Sequence, residues 1–305
     1  MPDKKVCGIA LLICGLPLVI ASLRSAAAQG PARENAPAPA SKGVALGIPV
    51  DDWRSAAASG ETGALATFYS TQPPVRVLLG DREVTGATEE TAFWHGLKER
   101  GLRKLVLGDL TIVPAGENLR QATAQAEIEN RTKAGARTSY LVLQQLWNLQ
   151  NGQWKMVAVK RGPLTRLKQP LGPRADLYPA LADARLDIKN ALATAQHDHK
   201  RVLLDFGANW CYDCHVLDLA FHRPELQAML DAAYVVVHVD VGRMDKNLDL
   251  AERYQVPLSK GIPALAVLDG NGKLMFSQRQ GEFESARSLA PEDLAVFLGK
   301  WKEPR

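Results

Sequence analysis

One stretch constrains this chain more than any other: Val202-Leu203-Leu204-Asp205-Phe206-Gly207-Ala208-Asn209-Trp210-Cys211-Tyr212-Asp213-Cys214-His215. Residues 202–206 have the branched, apolar composition of a strand buried on both faces, and small residues turn it into the cysteine pair. Beyond the turn, Val216, Leu217, Leu219 and Ala220 recur at helical spacing, which predicts Cys211 at the first residue of a helix and Cys214 one turn further in. Free backbone N–H groups at a helix start carry partial positive charge and stabilise a thiolate, so Cys211 is expected to be the nucleophile. Two intervening residues bring the second sulfur within bonding distance, so Cys214 is expected to attack a mixed disulfide and release its client.

Other chemistries share these letters. Cys211-Tyr212-Asp213-Cys214-His215 also matches the C-x-x-C-H pattern of covalent c-type haem, with His215 as an axial ligand. Haem attachment requires no buried strand running into the first cysteine and no strand-helix alternation after it, and both are written here. His215 is therefore read as a partly exposed residue of the first helical turn. Structural zinc sites usually need four ligands, and no second cysteine pair is present.

At the start of the chain, Lys4 and Lys5 precede an apolar run over 6–23, and Ser25-Ala26-Ala27-Ala28-Gln29 offers a small-residue cleavage site. Residues 1–28 are expected to be a secretory signal; uncleaved, the run would be a membrane anchor, although Gly8, Gly15 and Pro17 make it a poor span. Cys7 and Cys14 leave with it, so of 4 cysteines only Cys211 and Cys214 remain. In an exported, periplasmic or secreted protein, a sole C-x-x-C pair reads as a redox couple. Loss of Lys4, Lys5, Arg24 and Asp3 lowers the net charge from +4 to +2, and no basic block interleaved with aromatics appears, which argues against nucleic acid as a partner.

Residues 29–47 are Pro, Ala, Gly and polar residues without apolar period, a composition that cannot offset ordering entropy, and are expected to be a linker. Folded sequence should begin near Pro49, with Asp51 capping a helix through Trp53 and Ala57, and a second short helix carrying Leu65, Phe68 and Tyr69. A strand over 75–79 and a helix over 88–99 follow, the latter with Phe93, Trp94 and Leu97 inward. Ala122, Ala124, Ala126 and Ile128 alternate with polar residues as in a half-buried antiparallel strand, Leu141, Leu143, Trp147 and Leu149 continue the theme, and Asn151-Gly152 predicts a tight hairpin. This order of elements resembles the nuclear transport factor 2-like cone of ketosteroid isomerase and SnoaL-type proteins over residues 49–164. The resemblance implies an α+β cone with an internal pocket, acting as a binding or homodimerising module. His95, on a helix among charges, and Asp109, beside Gly108 in a bulge or bend, are given no catalytic role.

Pro163, Pro170, Pro173 and Pro179, interspersed with cations, mark a second linker, read as a solvated tether. Leu181, Ala184, Ile188, Ala191, Leu192 and Ala195 then define an amphipathic helix, and His197-Asp198-His199 reads as an exposed polar turn at its end. After the cysteine helix come a helix from Pro224, a strand over 234–241, a helix through Leu248 to Tyr254, the strand 264–268 entered by Gly261-Ile262-Pro263, a turn, the strand 273–277 and a last helix over 291–301. A Trp-Cys-x-x-Cys turn, an Asp six residues before it and a downstream Gly-Ile-Pro resemble thioredoxin, over residues 183–301. That resemblance implies an α/β thioredoxin fold with a cis Pro263 against the cysteines, Ile262 offering backbone hydrogen bonds to substrate, Trp210 covering the site and Asp205 as the buried carboxylate behind the disulfide. Burial disfavours the charged form of a carboxyl, which would let Asp205 exchange protons with Cys214 near neutral pH. Departures are Tyr212-Asp213 between the cysteines, Val236 standing where a lysine often neighbours the Asp, and Pro257-Leu258-Ser259-Lys260 lengthening the approach to Pro263.

The expected organisation is a leader (1–28), linker (29–47), cone (48–165), linker (166–180) and thioredoxin-like domain (181–305). No cofactor is expected beyond the Cys211–Cys214 redox disulfide. Asp213 beside the cysteines should oppose thiolate formation and favour a reductant. The reading is an exported thiol-disulfide oxidoreductase acting on client protein disulfides and re-reduced by a membrane thiol electron donor. The rivals are a c-type haem protein and a non-catalytic binding module on the same scaffold.

Overall fold

Period-two alternation and tight turns build the first half of the chain. In the computed structural model, the described residues are 47–302 without 173 and 175; the expected leader and the linker at 29–46 lie outside them. Helices α1 (Val50–Ser59) and α2 (Thr62–Ala66) precede strands β1 (Arg76–Leu79) and β2 (Arg82–Thr85), helix α3 (Thr88–Glu99), and the long strands β3 (Leu102–Gly116), β4 (Leu119–Thr132), β5 (Gly135–Gln150) and β6 (Gln153–Arg161). The six strands form one sheet in the order β2-β1-β6-β5-β4-β3. The expected antiparallel sheet is mixed, because β1 runs parallel to β6 after α3 and three strands carry the chain back. Asn151 and Gly152 take positive φ at the β5–β6 hairpin, as their small or locally bonding side chains allow. Asp109 also has positive φ, inside a register shift of β3 against β4, so the expected bulge is present.

Trp53, Trp94 and Trp147 are fully buried between the helices and the sheet, with Trp53 and Trp94 edge to face at 5.5 Å. A charged cluster is sealed in with them: Glu90, wholly buried, accepts from Trp94 Nε1 at 2.8 Å and from Arg161 Nε at 3.0 Å. The space bounded by Val50, Leu107 and Leu143 is too narrow for water, so side chains fill that part of the cone. Two local expectations change. Asp51 lies in the first turn of α1 and makes no cap, with Pro49 at the cap position, and Phe68 and Tyr69 fall beyond the end of α2.

The second half contains helix α4 (Ala184–Asp198), strand β7 (Arg201–Gly207), helices α5 (Tyr212–Phe221) and α6 (Pro224–Ala233), strand β8 (Tyr234–Asp240), helix α7 (Leu248–Arg253), strands β9 (Ala264–Leu268) and β10 (Leu274–Ser277), and helix α8 (Pro291–Trp301). Its sheet runs β10-β9-β7-β8, with β8 parallel and β9 antiparallel to the central β7. Alternation sorts the core into two layers. Val202, Leu204 and Phe206 pack with Ile188 and Ala191 of α4 and Leu250 of α7, whereas Leu203 packs with Leu217 of α5, Leu226 of α6 and Leu298 of α8. Asp183 caps α4 by accepting from the N–H groups of Arg185 and Leu186, which leaves Leu181 outside the helix and wholly exposed instead of on its apolar face.

The segment between the halves is not a solvated tether. Leu167 is fully buried against Leu203 and Val216, and Leu177 and Tyr178 are buried in the core on the other side of the sheet. Its cations are paired: Arg166 with Glu292 at 3.0 Å, Lys168 with Asp109 at 2.6 Å and Arg174 with Asp218 at 2.9 Å. Proline content made the segment irregular, and its widely spaced apolar residues keep it attached.

Candidate active site

Strand β7 delivers Asp205 to the centre of the core and ends at Gly207, where the chain turns over. A Cβ at Gly207 would run into the Tyr178 hydroxyl and Cys214 Sγ, so only glycine lets these two groups meet beneath the turn. Cys211 is the N-cap of α5 and is joined to Cys214 by a disulfide with Cα atoms 5.3 Å apart. Its Sγ accepts the Cys214 N–H at 3.1 Å, one of the amide groups that a helix start leaves free, so the cap that orders the helix would also stabilise a thiolate. Cys211 is 5% exposed and Cys214 is fully buried, an asymmetry that fits attack at Cys211 and resolution by Cys214.

Ile262–Pro263 is cis, and the Ile262 carbonyl oxygen lies 3.5 Å from Cys211 Sγ. Trp210 is 56% exposed and its Nε1 donates to the Gly242 carbonyl at 2.7 Å, which fixes an apolar plate beside the disulfide. The structure thus brings Cys211, Cys214, Ile262 and Pro263 together under the exposed Trp210, with Asp205 in the core behind them; His95 is exposed on α3 with its Nδ1 at the Gly60 carbonyl, and Asp109 is paired with Lys168.

The surroundings of Asp205 were not foreseen. Its Oδ2 accepts from the Tyr178 hydroxyl at 2.9 Å and lies 3.1 Å from His238 Nδ1, while Oδ1 is buried without a partner. His238 faces Asp205 directly across β7 and β8, so the basic neighbour sought at Val236 stands two residues later on the same strand. Burial pulls the His238 pKa down, but the hydrogen bond and charge of Asp205, with the charge of Asp218, outweigh it and the net shift is upward. Burial, then the Asp205 charge, pushes the Tyr178 hydroxyl well above its usual range. Asn209 secures Tyr178 by exchanging two 2.9 Å bonds with its backbone. A histidine in the run Val235-Val236-Val237-His238-Val239 was a visible signal; Tyr178 in a proline-rich segment was not.

Two sequence expectations fail here. Asp213 does not bear a free charge: its carboxylate is gripped by the Arg287 guanidinium at Nε (3.0 Å) and Nη2 and by the Arg287 backbone N–H at 2.9 Å. The field expected to oppose the Cys211 thiolate is therefore compensated by a cation 74 residues away in sequence, which also lies 4.9 Å from the Tyr212 ring. His215 is 3% exposed, not partly exposed, because its Nε2 is drawn onto the Asn209 carbonyl at 2.8 Å. With that nitrogen engaged and the ring buried, His215 is not disposed to ligate a haem iron.

A thioredoxin-like family profile matches residues 183–270. A disulphide isomerase of known structure from Xylella fastidiosa is 37% identical in sequence over 43% of this chain and 98% of its own, with a TM-score of 0.40. Through its C-terminal half, the chain belongs to the thioredoxin-like family. Outside that solved structure, the thiol:disulfide interchange protein DsbD of Pseudomonas fluorescens is 28% identical over 121 residues, 39% of this chain and 19% of the relative. The chain thus spans about a fifth of the length of the curated relatives it matches. The first half is similar to an NTF2-like protein from Novosphingobium aromaticivorans, 13% identical over 37% of this chain and 75% of that one, with a TM-score of 0.32. In the thioredoxin-like half, the C-x-x-C pair lies at the helix start and cis-proline loop just described.

Proposed function

We propose that this protein is an exported thiol-disulfide oxidoreductase that exchanges disulfides with client proteins through Cys211 and Cys214. The observation that carries the reading is the asymmetric cysteine pair: a nearly covered Cys211 capping α5 beside a cis Ile262–Pro263 peptide, and a fully buried Cys214. In the reducing direction the Cys211 thiolate attacks a client disulfide, forming a mixed disulfide and releasing one client thiolate. Cys214, giving its proton toward the Asp205 carboxylate, then attacks Cys211 Sγ; the internal disulfide forms, the second client thiolate leaves, and two electrons have passed to the client. A membrane thiol donor would restore the dithiol. Export is supported by the leader pattern at 1–28, and no described helix is long and apolar enough to cross a membrane. The cone is assigned a binding or homodimerising role.

Cys214→Ser should accumulate client mixed disulfides on Cys211, and Cys211→Ser should abolish insulin reduction. Full activity in Cys211→Ser would reduce the fold to a scaffold. Direction of flow is read by equilibration with glutathione; a potential as oxidising as ~−120 mV would reject the reducing direction.

A further inference from the structure

A cleft of about 430 Å³ opens beside the cysteine turn. Its volume falls within the ~300–1,000 Å³ of ligand sites, and its lining has their composition of apolar surface with a few polar groups. One wall is the cone sheet, with Val142 and Gln144 of β5 and Lys160 of β6; the facing wall is Trp210, Tyr212 and His215, the residues that flank the two cysteines. Pro170 and Leu171 of the connecting segment close one side. The walls are held in register: the Tyr212 hydroxyl donates to Gln169 Oε1 at 3.0 Å, and the Gln169 backbone N–H donates to Gln125 Oε1 of β4 at 2.7 Å.

The charge in this cleft is one-sided. Arg161, Arg166, Lys168, Arg174 and Arg287 each meet a carboxylate, whereas exposed Lys160 has no ion pair among the described residues and no carboxylate lines the cleft. His215, also in the wall, keeps a buried Nδ1 without a partner. The cleft adjoins Trp210 and Tyr212, the two neighbours of Cys211 in sequence, so a polypeptide disulfide-bonded to that sulfur has the cleft within reach. Too small for a folded domain, it suits a few residues of extended chain.

We propose that the cone completes the client site: the cleft takes an extended client segment next to the reactive cysteine and selects one bearing an acidic side chain, which meets Lys160. The proposal rests on the oxidoreductase reading above. It makes the first half of the chain a specificity element of the thioredoxin-like half, with substrate class set by charge.

The test uses the oxidised full chain and fluorescent peptides differing only in Glu or Lys beside a central Ser, so that binding is read by anisotropy without covalent exchange. The expected result is tighter binding of the acidic peptide, weakened by salt, with the acidic-to-basic ratio falling roughly fivefold or more in Lys160→Glu and to an intermediate value in Lys160→Gln. Equal binding of both peptides, or a ratio unchanged in both folded variants, overturns the proposal. In parallel, turnover of a small neutral disulfide by the wild-type chain reads the oxidoreductase assignment alone: its failure with peptide selectivity intact sinks the chemistry and leaves the cleft.

Discussion

Replacing Arg287 by Ala isolates the electrostatic contribution that the structure adds to the cysteine motif. The Asp213 side chain is 9% exposed and that of Arg287 is 52% exposed, and the residue 287 backbone N–H, kept in the variant, still holds the carboxylate in place. Arg287→Ala thus leaves a fixed negative charge two residues from Cys211. For unit charges roughly 7 Å apart, as expected at that spacing, an effective dielectric near 20 gives about 2.4 kcal/mol. Solvent on the exposed side of the pair reduces this to about 1 kcal/mol. The thiolate is destabilised by that amount, so the Cys211 pKa rises by roughly 0.7 and the couple becomes about 20 mV more reducing. The assays are ultraviolet titration of the Cys211 thiolate and glutathione equilibration. Asp213→Asn/Arg287→Ala should return both values toward wild type. A folded Arg287→Ala protein with an unchanged titration midpoint and potential would refute the reasoning.

His238 should make stability pH-dependent: its folded pKa is raised, so its contribution is full below the unfolded value of about 6.5 and is lost as pH rises through the folded value. Denaturant unfolding across that window should show wild type losing stability relative to His238→Gln as pH increases; Asp205, Asp218 and Arg174 are the charges acting on it, and the Tyr178 ring packs against it edge to face at 5.3 Å. Gly207→Ala should cost about 1–3 kcal/mol or more through overpacking, because the added methyl meets Tyr178 and Cys214; thermal melts of the oxidised protein check it. Arg161→Ala should cost roughly 3–5 kcal/mol by stranding the wholly buried Glu90, with Glu90→Gln/Arg161→Ala recovering part of the loss in chemical denaturation.

What the sequence disclosed and what it hid follow from how far apart the partners lie. The strand-turn-helix around Cys211 and the alternation of Ala122 to Ile128 are local patterns dictated by local sterics, whereas the cis peptide before Pro263 is implied only by the resemblance to thioredoxin. Arg287 with Asp213, and Tyr178 with Asp205, are contacts between segments with no shared period, so neither could be read from spacing. For His215, helical position alone predicts exposure, whereas the Asn209 carbonyl draws the ring inward. The parallel β1–β6 pairing was likewise hidden: the short strand at β1 looks the same whichever neighbour it joins.

The connecting segment departs from its composition for a further reason, and this has a measurable consequence. Prolines and cations set its mean composition, but Leu167 and Tyr178, both fully buried, decide its placement. A chain cut at 181, where composition puts the start of the thioredoxin-like half, loses Tyr178 from the core and with it one of the two donors to the wholly buried Asp205. Two large side chains are worth about 1.5–3 kcal/mol each when fully buried, and an orphaned buried carboxylate bond adds about 1.5–3 more. That sum is comparable to the ~5–15 kcal/mol total of an ordinary domain. Residues 181–305 alone should therefore melt far below residues 163–305, with Cys211 and Cys214 present in both. Equal denaturation midpoints would mean that the segment is attached to the core without stabilising it.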